Sequence, residues 1–189
     1  MLLPKYSPAA VLLVIDTQLA FNDPAWGQRN NPEAESNIAA LLGEWRATGR
    51  RVIHVRHLNE GSSHRFSADA PGYQAKAEAE ETGAEPVLTK TVNSSFIGTD
   101  LEERLRELPE SHVVAVGLTT DHCVSTTVRM GSNLGFPFTV VSDATATFER
   151  TGFDGRRWTA QEMHDSALAS LNVEFATIAT TKDVLNALR

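Results

Sequence analysis

Three residues of the chain could do chemistry together. Cys123 is the only cysteine among 189 residues and lies in VGLTTDHCVSTTVRM, 116–130. Asp16 closes the apolar run AVLLVID, 10–16, and Lys90 closes EPVLTK, 85–90. A thiol attacks as its thiolate and needs help to ionise. A helix N-terminus and an ammonium such as Lys90 would favour the thiolate. A carboxylate such as Asp16 could take the thiol proton and later give it to a leaving amine. Backbone N–H groups in GLTTDHC could bind the oxyanion of a tetrahedral intermediate. Each residue also has a plainer reading. A lone cysteine is often a small buried hydrophobe. An aspartate after a strand often caps or turns the chain, and a lysine there is commonly a solvated charge.

The elements that must position this trio can be read from hydrophobic period. Strands are predicted at 10–16, 51–57, 85–90, 112–118, 136–144 and 174–180. Helices are predicted at 33–50, 99–109, 121–135, 159–172 and 181–189, with Ile38, Leu41, Leu42 and Trp45 on one face of the first. Alternating strands and helices imply parallel strands with right-handed crossovers. Strands apolar on both faces imply a sheet covered on both sides. The expected fold is therefore a three-layer α/β/α sandwich with about six parallel strands. Ligands of such sheets bind at the carboxyl ends of the strands, where Asp16, Lys90 and Cys123 fall. The polar stretch 58–84 reads as a long loop with a short helix over 73–81.

Composition narrows the function classes. Hydrophobic residues make up 41% and charged residues 22%, as in one ordinary globular domain spanning 1–189. A net charge of −7 argues against nucleic acid or an anionic membrane as partner and leaves a small molecule. A single cysteine excludes an intrachain disulfide, and with no signal-peptide pattern the expected location is cytoplasmic. The chain has no glycine-rich dinucleotide fingerprint and no phosphate loop, so no cofactor is expected. Asn93-Ser94-Ser95 matches a glycosylation pattern, which in a cytoplasmic chain is coincidence.

LLVIDTQLAF (12–21), VLTKTVNSSF (87–96), VVAVGLTTDHCVSTTVRMGSNLGF (113–136) and VVSDATATF (140–148) together resemble the isochorismatase-like cysteine hydrolases. That family includes nicotinamidases and N-carbamoylsarcosine amidohydrolase. The resemblance implies a Rossmann-like sheet of order 3-2-1-4-5-6 and a catalytic triad of Asp16, Lys90 and Cys123. It implies a cis Leu118–Thr119 peptide that turns the Thr119 and Cys123 N–H groups toward one oxyanion hole. It also implies self-association as a dimer or larger assembly.

Nicotinamidases carry an Asp-x-His pair and a further histidine that bind a metal. Here the corresponding stretch is HVRHLNEGSSHRF, with His57 and Asn59 at the pair. His54, His57 and His64 remain, but His54 and His57 should face opposite sides of a strand. The expectation is no metal. Gln18, Phe21, Phe96 and His122 are candidate substrate contacts: Gln18 by orienting a triad member, the two phenylalanines as apolar wall, and His122 as neighbour of the thiol. Trp26 could lie near the site, and His164 reads as a packed structural histidine. The stretches 22–32, 58–84 and 148–158 are expected to set specificity. The favoured activity is hydrolysis of a small amide-type C–N bond through a thioester. The alternatives are vinyl-ether hydrolysis of the isochorismatase type and a non-enzymatic thiol sensor or ligand-binding protein.

Overall fold

VLLVI, Val11–Ile15, is buried at every position and forms the central strand β1. In the computed structural model of the protein, residues 5–59, 64–109 and 111–188 are described. Four further strands follow β1: β2 (Val52–His57), β3 (Val87–Lys90), β4 (Val113–Leu118) and β5 (Phe138–Ala146). A two-residue hairpin, β6 (Arg150–Thr151) and β7 (Arg157–Trp158), comes before β8 (Thr177–Ala179). The sheet runs β3-β2-β1-β4-β5-β8, all parallel. This is the expected order, with β8 as the sixth sheet strand because the hairpin precedes it. The order reverses between β1 and β4.

Side-chain alternation along the strands divides the core into two layers. Leu13, Ile15, Ile53, Val55 and Ala115 pack on one side, against Leu101 and Leu105 of α2 (Leu101–Arg106), Val128 of α3 (Ser125–Asn133) and Leu168 of α4 (Ala160–Leu171). Leu12, Val14, Val114 and Val116 pack on the other. Their partners are Ile38, Leu41, Leu42 and Trp45 of α1 (Ala34–Ala47), and Val184 of α5 (Thr181–Ala187). At roughly 1.5–3 kcal/mol for each large side chain fully buried, these layers hold the strand ends in place. A third, aromatic cluster of Phe21, Phe66 and Phe148, flanked by Trp26, covers the carboxyl end of the sheet.

Three local features depart from expectation. The short helix over 73–81 is absent, replaced by single 3-10 turns at Pro71–Tyr73 and Ala77–Ala79. The intervening backbone is spent on the segment after β1: Leu19 N donates to Gln74 O and Lys76 N to Thr17 O, both at 2.9 Å. Positions 60–63 of that loop, and position 189 of the closing helix, lie outside the described residues. β5 extends to Ala146, because beyond a bulge Thr145 and Ala146 pair with Gly117 and Leu118. The helix expected from 121 begins instead as a π turn, Thr120–Val124, that leads into α3.

Gly117 makes the closest approach in the sheet. Its φ is 116°, and an added Cβ would sit 1.9 Å from the Ile15 carbonyl oxygen. Only glycine fits there, and it lets the ends of β1 and β4 close up just before Asp16 and Thr119.

Candidate active site

Four strand ends and the π turn build the site. Asp16 follows β1 with φ 47°, in the left-handed region that aspartate tolerates better than most residues. Its N–H donates to Val55 O at 2.9 Å, and Gln18 N donates back to Asp16 O at 2.8 Å. The chain therefore turns sharply and aims the carboxylate across the sheet end. His57 and Lys90 are register partners at the ends of β2 and β3. Cys123 sits in the π turn after β4, and the peptide between Leu118 and Thr119 is cis, as the resemblance implied.

The Lys90 side chain is fully buried and ties the group together. An ammonium has three N–H donors and no acceptor. Nζ donates to Asp16 Oδ2 at 2.6 Å, to His57 Nδ1 at 3.2 Å and to Cys123 Sγ at 3.4 Å. Because Lys90 can only donate, His57 Nδ1 accepts and the ring proton sits on Nε2. That proton is donated to Asn59 Oδ1 at 2.7 Å, and Asn59 Nδ2 donates in turn to His64 Nδ1 at 2.8 Å. Burial first, and then the Lys90 charge, hold the His57 pKa below its ordinary value, so the ring is neutral at pH 7.

Asp16 Oδ1 is buried with no hydrogen-bond partner. A carboxylate oxygen of Asp16, a His57 nitrogen and Cys123 Sγ all lie within 4.8 Å of one another. Burial, followed by the Asp16 charge, pushes the Cys123 thiol pKa far up, and Lys90 only partly opposes this. The resting group is thus a thiol, not the preformed thiolate that a helix N-terminus and Lys90 alone would suggest. The weak S–H donor also approaches Asn93 Oδ1 at 3.9 Å.

These groups open on a cavity of about 240 Å³. Asp16, Thr119 and Cys123 form its floor, and Phe21, Trp26 and Phe66 give it an aromatic wall. His57, Asn59, His64, Asn93, His122 and Arg150 supply the polar rim. Wider surface grooves run beside Arg46 and Glu85 and beside Glu35 and Lys76. Arg46 is paired with Glu85 and Lys76 with Glu35, and neither groove is lined by the thiol.

The structure brings Asp16, Lys90, Cys123, Thr119, Phe21 and His122 to one place. It does not bring Gln18 or Phe96 to the cavity wall. The Gln18 amide is consumed by backbone: Nε2 donates to His57 O and Tyr73 O, both at 3.0 Å, and Oε1 accepts from His57 N at 2.8 Å. Gln18 therefore fixes the end of β2, and His57 with it. Phe96 stacks on Phe136 in the core, with its ring 2.8 Å from where a Cβ on Gly131 would lie. His54 points away from the site and meets Glu85 at 3.0 Å, and His164 packs against Thr120 Oγ1 at 2.9 Å.

Sequence reasoning did not single out Asn93 or Arg150 as site residues. Asn93 carried a signal, three positions beyond Lys90 at the same strand end. Arg150 did not, because a hairpin places it.

A metal does not fit these residues. The His57 ring meets Lys90 through Nδ1 and Asn59 through Nε2, leaving no lone pair for an ion. At the Asp16, His57 and Cys123 cluster the Lys90 ammonium already stands as the shared cation.

Comparison with known proteins agrees with this architecture. The sequence model of the isochorismatase domain matches residues 10–183, and the chain belongs to the isochorismatase family. The uncharacterized isochorismatase family protein YrdC of Bacillus subtilis (strain 168) is 45% identical, covering 93% of this chain and 94% of that protein. A crystal structure of an isochorismatase-family chain from Chromobacterium violaceum superposes with a TM-score of 0.95. It is 40% identical and covers 100% of this chain and 97% of that one. A streptothricin hydrolase from Streptomyces noursei is 29% identical, over 75% of this chain and 56% of that enzyme. The protein is an isochorismatase-family hydrolase.

Proposed function

We propose that the protein hydrolyses a small amide-type C–N bond through a thioester on Cys123. One observation carries the reading: beneath a cavity, a thiol and a carboxylate share one buried ammonium, and the second oxygen of that carboxylate has no hydrogen-bond partner. The streptothricin hydrolase relative supports hydrolytic chemistry on this fold.

Because the resting thiol is neutral, its proton must leave no later than attack. Sγ forms a bond to the carbonyl carbon while its proton passes to Asp16. The carbonyl electrons move to oxygen, and the Thr119 and Cys123 N–H groups hold the oxyanion. Asp16 then protonates the nitrogen as the C–N bond breaks. Water attacks the thioester and gives a proton to Asp16. The C–S bond breaks and that proton returns to sulfur. Lys90 keeps Asp16 oriented through Oδ2 and leaves Oδ1 to carry the proton.

The high thiol pKa weighs against a redox sensor, since sensor cysteines act as accessible thiolates. A panel of nicotinamide, carbamoyl compounds, ureides and lactams, read by ammonia release and by intact mass of the acyl-enzyme, tests the proposal. Cys123→Ala should abolish turnover of every active amide and remove the adduct. Turnover retained in that variant would refute it.

A further inference from the structure

We propose that the groove at the amino ends of β2 and β3 binds the diphosphate group of a small molecule through Arg50 and Arg51. This site is separate from the cavity over Cys123 and does not depend on the reaction assigned there.

The groove has a volume of about 510 Å³ and lies between the turn from α1 to β2, the start of β3, and α2. Four arginines line it, Arg46, Arg50, Arg51 and Arg104, against one carboxylate, Glu85. The whole chain carries a net charge of −7, so this gathering of like charge runs against the rest of the protein. β2 leads from Val52 at the groove to His57 in the active site, at about 3.3 Å per residue. The two sites therefore lie at opposite ends of the sheet.

What each arginine already holds decides which of them can take a ligand. Glu85 is spent. Arg46 Nε donates to its Oε1 and Nη2 to its Oε2, both at 2.8 Å, and Thr82 N and His54 Nε2 also meet Oε2, at 2.9 and 3.0 Å. Burial would raise the Glu85 pKa, but these bonds, that of Arg46 foremost, lower it to about 2. Glu85 thus stays the counter-ion of Arg46. Arg104 is forked onto Asp100, with Nε to Oδ1 at 2.9 Å and Nη2 to Oδ2 at 2.7 Å. Arg50 and Arg51 have no carboxylate within hydrogen-bond distance among the described residues. Arg50 makes one long bond, Nε to Ser7 O at 3.4 Å, and Arg51 only approaches the exposed Glu107 at 3.9 Å. An exposed pair at that distance adds little.

A cation at the carboxyl end of a helix is common, and Arg46 stands in the last turn of α1. That does not account for Arg51, which leads into β2, or for Arg104, which comes from α2. A guanidinium fork matches phosphate oxygens bidentately. Two neighbouring free forks match two joined phosphates better than one. At about 30 Å³ for each water-sized group, a diphosphate fills roughly half of the groove and leaves room for the group it is attached to.

Calorimetry on the full-length protein at low ionic strength tests the site with pyrophosphate, orthophosphate, ADP and AMP. Pyrophosphate should bind once per chain, roughly 10- to 100-fold more tightly than orthophosphate, the gain of a second set of charge-assisted hydrogen bonds. Arg50→Gln and Arg51→Gln should each weaken it roughly 10-fold, and Arg50→Lys, which keeps the charge and loses the fork, should weaken it less. Two controls should leave it unchanged: Arg150→Met in the active-site cavity, and Arg157→Gln on the exposed hairpin. ADP binding more tightly than pyrophosphate would place the diphosphate on a larger molecule, and ADP binding no more tightly would point to the free diphosphate; both uphold the site. No binding at millimolar concentration overturns the proposal. So does equal affinity for mono- and diphosphate, binding that survives loss of both Arg50 and Arg51, or an equal loss in either control.

Discussion

Among the described residues two lysine–carboxylate pairs are buried, and they are finished differently. Lys76 Nζ meets Glu35 Oε1 at 2.5 Å, close to the 2.6 Å between Lys90 and Asp16. Around Glu35 every acceptor is used. Arg29 Nη1 also donates to Oε1 and Nη2 to Oε2, at 2.5 and 2.6 Å. Burial alone would raise the Glu35 pKa, but Arg29 and Lys76 outweigh it and lower it to about 2. Around Asp16, one oxygen is left without a partner and a thiol stands beside it. The first pair is closed and only holds α1 to the loop before β3. The second is left open at one oxygen, the one to which the proposed mechanism gives the proton.

Substitution can break the contrast from either end. The largest effect is expected at Asp16→Asn. Turnover should fall roughly 10²–10⁴-fold, the usual contribution of general acid–base catalysis. Stability should fall as well, by on the order of 3–5 kcal/mol, because the Lys90 ammonium would stay buried without its counter-charge. Rates measured on folded protein, checked by circular dichroism, separate the two losses. Near-normal turnover would show that the open oxygen carries no proton.

A smaller and purely structural effect is expected at Glu35→Gln. The Glu35 pKa is depressed from 4.5 to about 2, so its contribution to stability is present above pH 4.5 and is lost as pH falls toward 2. At pH 7 the variant should lose on the order of 2–3 kcal/mol in denaturant unfolding, with kcat/KM unchanged within about two-fold. The gap from the unsubstituted protein should narrow between pH 4.5 and 2. A gap that stays constant with pH would mean that the Glu35 cluster is not what stabilises this edge.

The sheet and the trio were legible because both rest on short-range pattern. Apolar runs gave the strands: Asp16 follows β1, Lys90 ends β3, and Cys123 lies in the turn after β4. What the pattern did not reveal lies where the chain leaves regular structure. His57 was read as one of several histidines, yet its role depends on Lys90, 33 positions away. Gln18 looked like a contact for substrate, but its amide meets backbone from two other segments. Arg150 depends on a two-residue hairpin, and Phe66 on a loop whose fold comes from tertiary bonds. The stretches 22–32, 58–84 and 148–158 each do send a residue to the cavity, namely Trp26, Phe66 and Arg150. Their positions along the chain were readable, and their orientations were not.

The chain of bonds from Lys90 through His57 and Asn59 to His64 has a consequence for order. His57 has two neutral tautomers, and the Asn59 amide can be flipped end for end. Left to themselves, these choices would give a wall with several hydrogen-bonding faces. A donor-only group at one end permits a single reading of the row, because each link can only pass on the direction it receives. Lys90 thereby acts as a polariser as well as a charge. It fixes which edge of the pocket gives hydrogen bonds and which accepts them before any ligand arrives.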